Sequence, residues 1–174
     1  MFYKTLVATL LSGLIATAAD AGDQYVDGTG YAVSGYDVVA YFDLPQSKIG
    51  VAQSKAVPGR VDLTTEFNGA KFAFATPANL KKFLANPAKY APQYDGHCAY
   101  GVAVGNKVPG NPNLWRIVGG KLYLNITTAV SKIWEEDIPG YLQQSTSKWA
   151  GQLEPKRASR DAVPQFRSKA PVAD

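Results

Sequence analysis

The sequence has one histidine, one cysteine and one methionine, and the first two scarcities each remove a class of chemistry. A lone histidine, His97, excludes any site that needs two imidazoles from one chain, including the HExxH zinc helix. A lone cysteine, Cys98, excludes an internal disulfide. The glycines of GNKVPGNPN (105–113) have no strand-to-helix context and no lysine followed by Ser or Thr, so a phosphate-binding loop is absent. Clustered base is also lacking. The net charge is +4, and five Lys or Arg stand against three acids in residues 151–174. The remaining excess is diffuse, which argues against nucleic acid as a partner. Beyond the N-terminus no apolar stretch is long enough to span a bilayer.

What is present begins with a signal. Lys4 precedes an apolar run from Leu6 to Ile15, and small residues follow. Both Ala16-Thr17-Ala18 and Ala19-Asp20-Ala21 fit the small-x-small cleavage pattern. Residues 1–21 therefore read as a signal peptide, which sends the chain to the periplasm or outside the cell and leaves no stable membrane span. Residues 22–33, polar and Gly-rich, read as a linker. A single domain is expected over 34–150, and a mobile charged tail over 151–174.

Within the domain the local signals alternate. GYDVVAYF (35–42) is apolar and aromatic, and reads as a short strand or turn docked on the core, hinged at Gly35. Val61, Leu63, Thr65 and Phe67 alternate with polar residues up to Asn68-Gly69, and Lys71–Ala75 follows, the pattern of a hairpin. Thr76-Pro77 opens a helix with Leu80, Phe83 and Leu84 expected on the core side. Asn86-Pro87 repeats the start signal. A strand is expected near 98–104. Residues 114–125, broken at Gly119-Gly120, predict a second hairpin. A helix capped by Thr127 or Thr128 is expected to run to about Asp137, and a further helical stretch to about Leu153, with Ile133, Trp134, Tyr141, Leu142 and Trp149 as candidate buried residues. Glu135-Glu136-Asp137 reads as a solvated acidic face. The order predicts an α+β domain with a small, mainly antiparallel sheet and flanking helices.

One pairing could carry chemistry: His97-Cys98. A thiolate is both nucleophile and soft-metal ligand, and an adjacent imidazolium lowers a thiol pKa. Neighbours in an extended strand point to opposite faces, so the two converge only if Gly96 places them in a turn. Even together they supply two ligands where structural zinc takes four. Copper(I), or a zinc ion completed across a homodimer, would be the cofactors such a pair suits. The alternatives for Cys98 are burial as an inert small residue, pairing between chains, or reactivity. Asn125-Ile126-Thr127 has the form of a glycosylation sequon.

GYDVVAYF (35–42), EFNGAKFAFAT (66–76), NLKKFLANPAKYAPQYDGHCAYG (79–101), KLYLN (121–125) and IWEEDIPG (133–140) together resemble the YHS-domain family, and in particular its exported bacterial members. The resemblance spans about 34–141 and implies a treble-clef-like fold. Metal-binding members of that family carry cysteine in a DPVCGM-like first segment and a cysteine pair in an FCSxxC segment before the helix. Here the first segment is GYDVVAYF, and Ala75 and Asn79 stand where the pair would be, so those ligands do not carry over. Some exported members are selenoproteins, which implies redox use of the position held by Cys98.

Three functions follow as expectations. The first is a non-enzymatic, thiol-based binding or redox module around Cys98 and His97, handling a soft metal ion. The second is a ligand- or protein-binding module with an inert buried cysteine, its cleft formed by Tyr36, Asp37, Tyr41, Tyr94 and Tyr100. The third is a cysteine-dependent enzyme in which Asp37 or Asp95 orients His97.

Overall fold

The computed structural model describes residues 24–156 and 168–173. The expected signal peptide, and the tail residues 157–167 and 174, lie outside the described residues. The fold is α+β, as the sequence predicts, but the strands make two separate antiparallel hairpins rather than one sheet.

The first hairpin pairs β1 (Arg60–Phe67) with β2 (Ala70–Phe74). Asn68 and Gly69 both adopt positive φ, 47° and 71°, as a tight turn between twisted strands requires. The second pairs β3 (Asn111–Val118) with β4 (Lys121–Asn125) around Gly119-Gly120. Side chains alternate along β4. Leu122 and Leu124 enter the main core with Phe72, Phe74, Phe83 and Trp115, while Tyr123 packs with Trp134 and Ala99 in a second cluster. The β3–β4 hairpin thus divides two hydrophobic cores.

The helices begin where their caps predict. Thr76 accepts from the N–H of Asn79 at the start of α1 (Pro77–Ala85), Asn86 caps α2 (Pro87–Tyr90), and Thr127 caps α4 (Thr128–Glu136). Asp137 accepts from the N–H of Gly140 and opens α5 (Ile138–Lys148). On α1 Phe83 is buried and Leu80 packs on the core, but Leu84 is exposed, a departure from the expected apolar face. On α4 Trp134 is buried and Ile133 is exposed.

Of the two forms expected for GYDVVAYF, the turn is the one present: 3₁₀ turns at Val33–Gly35 and Ala40–Phe42 flank the segment's middle, and it docks on the core through Tyr36, Val38, Val39 and Tyr41. Three further expectations change. Residues 98–104 contain the short helix α3 (Ala99–Ala103). It packs so closely that a Cβ on Gly101 would lie 2.9 Å from Val108, and the small residues that suggested a strand serve this close approach. The segment expected as a linker is tied down: Gln24 is buried, and the N–H of Tyr25 donates to Asp95. Residues 168–173, expected within a mobile tail, form a strap beside β1. The N–H of Val172 donates to Gly59 and the N–H of Val61 donates to Val172. Pro171 fills the space in which a Cβ on Gly35 would sit.

Candidate functional site

The chain reaches His97 through three consecutive residues of positive φ, Tyr94 (55°), Asp95 (52°) and Gly96 (80°). The turn anticipated at Gly96 is therefore present, but both residues beyond it are extended, His97 at φ −81°, ψ 162° and Cys98 at φ −62°, ψ 120°. Successive extended side chains diverge, and the two have different partners. His97 Nδ1 lies 2.8 Å from the carbonyl of Tyr94, and its ring packs against Tyr25 and Trp149. Cys98 Sγ accepts the N–H of Gly101 at 3.3 Å, capping α3, and donates to Asn125 Oδ1 at 3.5 Å.

Neither group has the electrostatics of a reactive pair. Cys98 is 0% exposed. Burial pushes its thiol pKa up, against the opposing hydrogen bonds from backbone groups at Gly101, Ile126 and Tyr100. An activated thiolate needs the reverse. His97, 1% exposed, is held at about 4, mainly because burial penalises the imidazolium and partly because Lys107 repels it. An uncharged imidazole cannot lower the pKa of a neighbouring thiol through its field.

This depressed value has a consequence for stability. The unfolded chain takes up a proton at His97 below about pH 6.5, while the native chain does so only near pH 4. The native state therefore keeps its full stability above pH 6.5 and loses it as the pH falls toward 4. By pH 4.5 the loss is about 2.5 kcal/mol. Urea unfolding of wild type and His97→Gln at pH 7 and 4.5 measures it. The wild type is expected to lose about 2.5 kcal/mol more than the variant over that interval, and equal losses would refute the assignment.

Copper and zinc fail the test of fit. Among the described residues no three His, Cys, Asp or Glu side chains gather as metal ligands. The buried His97 Nε2 has no hydrogen-bond partner, but the neighbouring thiol is committed to its cap. The sequon asparagine is equally committed: Asn125 is buried and its Oδ1 also accepts the N–H of Tyr100, so the folded protein offers no glycan acceptor there.

The five residues expected to form a cleft are dispersed. Asp37 is buried and accepts four hydrogen bonds. Tyr41 is buried against Trp115 and donates to the carbonyl of Pro112 at 2.9 Å; burial raises its phenol well above its ordinary pKa. Tyr94 and Tyr100 pack around the second cluster. Tyr36 lines a cleft of about 680 Å³, and the other four do not line it. Its other walls come from places the sequence did not single out together: Lys55 before β1, Asn111 and Asn113 on β3, Thr127 and Thr128 at the start of α4, and Lys169 of the strap. Lysines and amides in loop-like stretches carry no periodic signal, and only the fold assembles them.

The YHS domain family matches residues 52–94. That segment comprises the first hairpin, α1, α2 and the loop before them, and it ends before His97 and Cys98. No curated protein and no solved structure matches the chain.

Proposed function

We propose that this chain, with its YHS-domain match at residues 52–94, is an exported, non-enzymatic binding module whose cysteine is structural and whose ligand surface is the cleft beside Tyr36. The complete burial of Cys98 carries the reading. A nucleophile, a redox thiol and a soft-metal ligand all need a thiolate that meets its partner. Here Sγ instead closes the first turn of α3 and bonds to Asn125. The cleft is concave, of a volume usual for small-ligand sites, and built from several elements of the fold. Export rests on the three consecutive regions of the N-terminal segment.

The test uses full-length protein expressed with its own N-terminus and recovered from the exported fraction. Its thiol is expected to stay unlabelled by an aromatic disulfide under native conditions and to react fully once denatured. Native labelling at the rate of a free model thiol would overturn the structural role. The mass of the same sample is expected to place the N-terminus at Ala19 or Gly22, and recovery of the chain only inside the cell, with Met1 retained, would overturn export.

A further inference from the structure

The polar groups of the cleft are unbalanced in a way that specifies a ligand. Asn111 is 9% exposed. Its Oδ1 is already occupied by the N–H of Asn113 at 2.9 Å, which fixes the amide and leaves Nδ2 without a protein partner among the described residues. Asn113 repeats the arrangement: its Oδ1 accepts the N–H of Ala56 at 3.0 Å, and its Nδ2 is likewise unpartnered. Both amides therefore offer the cleft donors only. Lys55 and Lys169 add two ammonium groups that make no ion pair among the described residues. Among the described residues no Asp or Glu lines the cleft.

The start of α4 adds to the same preference. Thr127 and Thr128 lie in the wall, and the Thr127 hydroxyl accepts only the N–H of Val130. A helix start has further N–H groups without intrahelical partners, and its dipole favours negative charge. The Asn111 side chain, 9% exposed and with its Oδ1 already bonded, has only its Nδ2 donors left to offer at the cleft wall, and points independently to an acceptor in the same place.

The remaining wall is apolar. Ala56, Pro58, Leu114 and Ile126 line it beside the Tyr36 ring. An inorganic anion would leave that surface wet, and a neutral apolar molecule would leave the donors unsatisfied. We propose that the cleft binds an organic acid: a carboxylate directed at Asn111, Lys55 and Lys169, on an apolar body lying against Tyr36, Leu114 and Ile126. The proposal rests on the reading of the chain as a binding module and names the ligand class of that site. The strap is part of the site, since Ser168 Oγ donates to the carbonyl of Ser34 at 2.7 Å and the backbone of Val172 is bonded to Gly59, which holds Lys169 at the wall.

Three probes of one shape test it: naphthoate, its neutral amide and the cationic naphthylmethylamine, each titrated into the full chain and followed by two-dimensional amide NMR. Naphthoate is expected to shift the side-chain amides of Asn111 and Asn113 and the N–H of Thr128, and to bind about tenfold more tightly than naphthamide, the equivalent of one net ionic hydrogen bond. The amine is expected not to bind. Asn111→Asp retains the acceptor for Asn113 and replaces the donor with negative charge, and is expected to abolish naphthoate binding. The exposed pair Lys55→Gln and Lys169→Gln supplies a second variant whose folding is not at stake, with an expected loss of about tenfold. Equal binding of acid, amide and amine would overturn the ligand class and leave a binding cleft. Failure of all three probes to shift any cleft resonance would overturn the cleft as a ligand site, whatever the outcome of thiol labelling.

Discussion

Glu135→Ala is expected to destabilise the chain by about 3–5 kcal/mol, the cost of leaving one member of a buried ion pair alone. The side chains of Arg116 on β3 and Glu135 on α4 are 5% and 7% exposed. Arg116 Nε and Nη2 both donate to Glu135 Oε1, at 2.8 and 2.7 Å. The other carboxylate oxygen accepts the N–H of Gly50 at 2.7 Å, and the guanidinium also donates to the carbonyls of Ser47 and Lys48. The pair thus joins the second hairpin, α4 and the loop before β1. Removing the carboxylate strands a guanidinium that cannot deprotonate. The midpoint of thermal unfolding is expected to fall by about 10 °C. Arg116→Met with Glu135→Leu removes both charges, and is expected to cost less than either single change. A single-variant loss under about 1 kcal/mol, in the range of an exposed pair, would refute the buried character of the contact.

This contact shows where the sequence stops being informative. Read locally, Glu135-Glu136-Asp137 is an acidic run on a wet face. In the fold Glu136 is exposed, Asp137 caps α5 and Glu135 is buried on a partner 19 residues away. Signals that act over two to four residues were legible. Asn68-Gly69 and Gly119-Gly120 turned the hairpins, and Thr76, Asn86 and Thr127 capped helices, because the φ angles and amide bonds involved belong to those residues themselves. Signals that depend on distant partners were not. Residues 98–104 look like a strand by composition, and what makes them helical is the Cys98 cap together with the close approach of Val108 to Gly101. The alternation in KLYLN was readable, but not that its two faces enter different cores. Scarcity and chemistry alone mark the His97-Cys98 pair, while the cleft draws on residues 36, 55, 111 and 169, whose proximity no spacing encodes. The strap has no local signature, because its hydrogen bonds to Gly59 and Val61 are backbone bonds, open to almost any sequence.

Asp37→Ala is expected to cost about 4 kcal/mol, because it removes one acceptor from four donors at once. Asp37 is completely buried. Its Oδ1 accepts the N–H groups of Val39 and Ala40 at 2.8 and 3.2 Å, and its Oδ2 accepts the N–H of Ala75 at 2.8 Å and the Asn79 amide at 2.7 Å. One carboxylate therefore joins the GYDVVAYF segment to the end of β2 and the start of α1. Two of the positions it reaches, Ala75 and Asn79, lie within the residues that the YHS domain family matches. The junction is made by hydrogen bonds to a carboxylate, whose lone pairs suit several donors at once. Alanine leaves the buried N–H groups of Val39 and Ala40 without this acceptor, each costing about 1–3 kcal/mol before relaxation, and also the part-buried N–H of Ala75 and amide of Asn79, which cost less. Asp37→Asn keeps one oxygen but opposes an NH₂ to either the pair from Val39 and Ala40 or the pair from Ala75 and Asn79, so an intermediate loss is expected. Adding Asn79→Leu to Asp37→Ala deletes one stranded donor and is expected to recover part of the loss, a coupling that a double-mutant cycle reads directly. Additive losses, or an Asp37→Ala variant within about 1 kcal/mol of wild type, would show that the junction is held by packing rather than by this carboxylate.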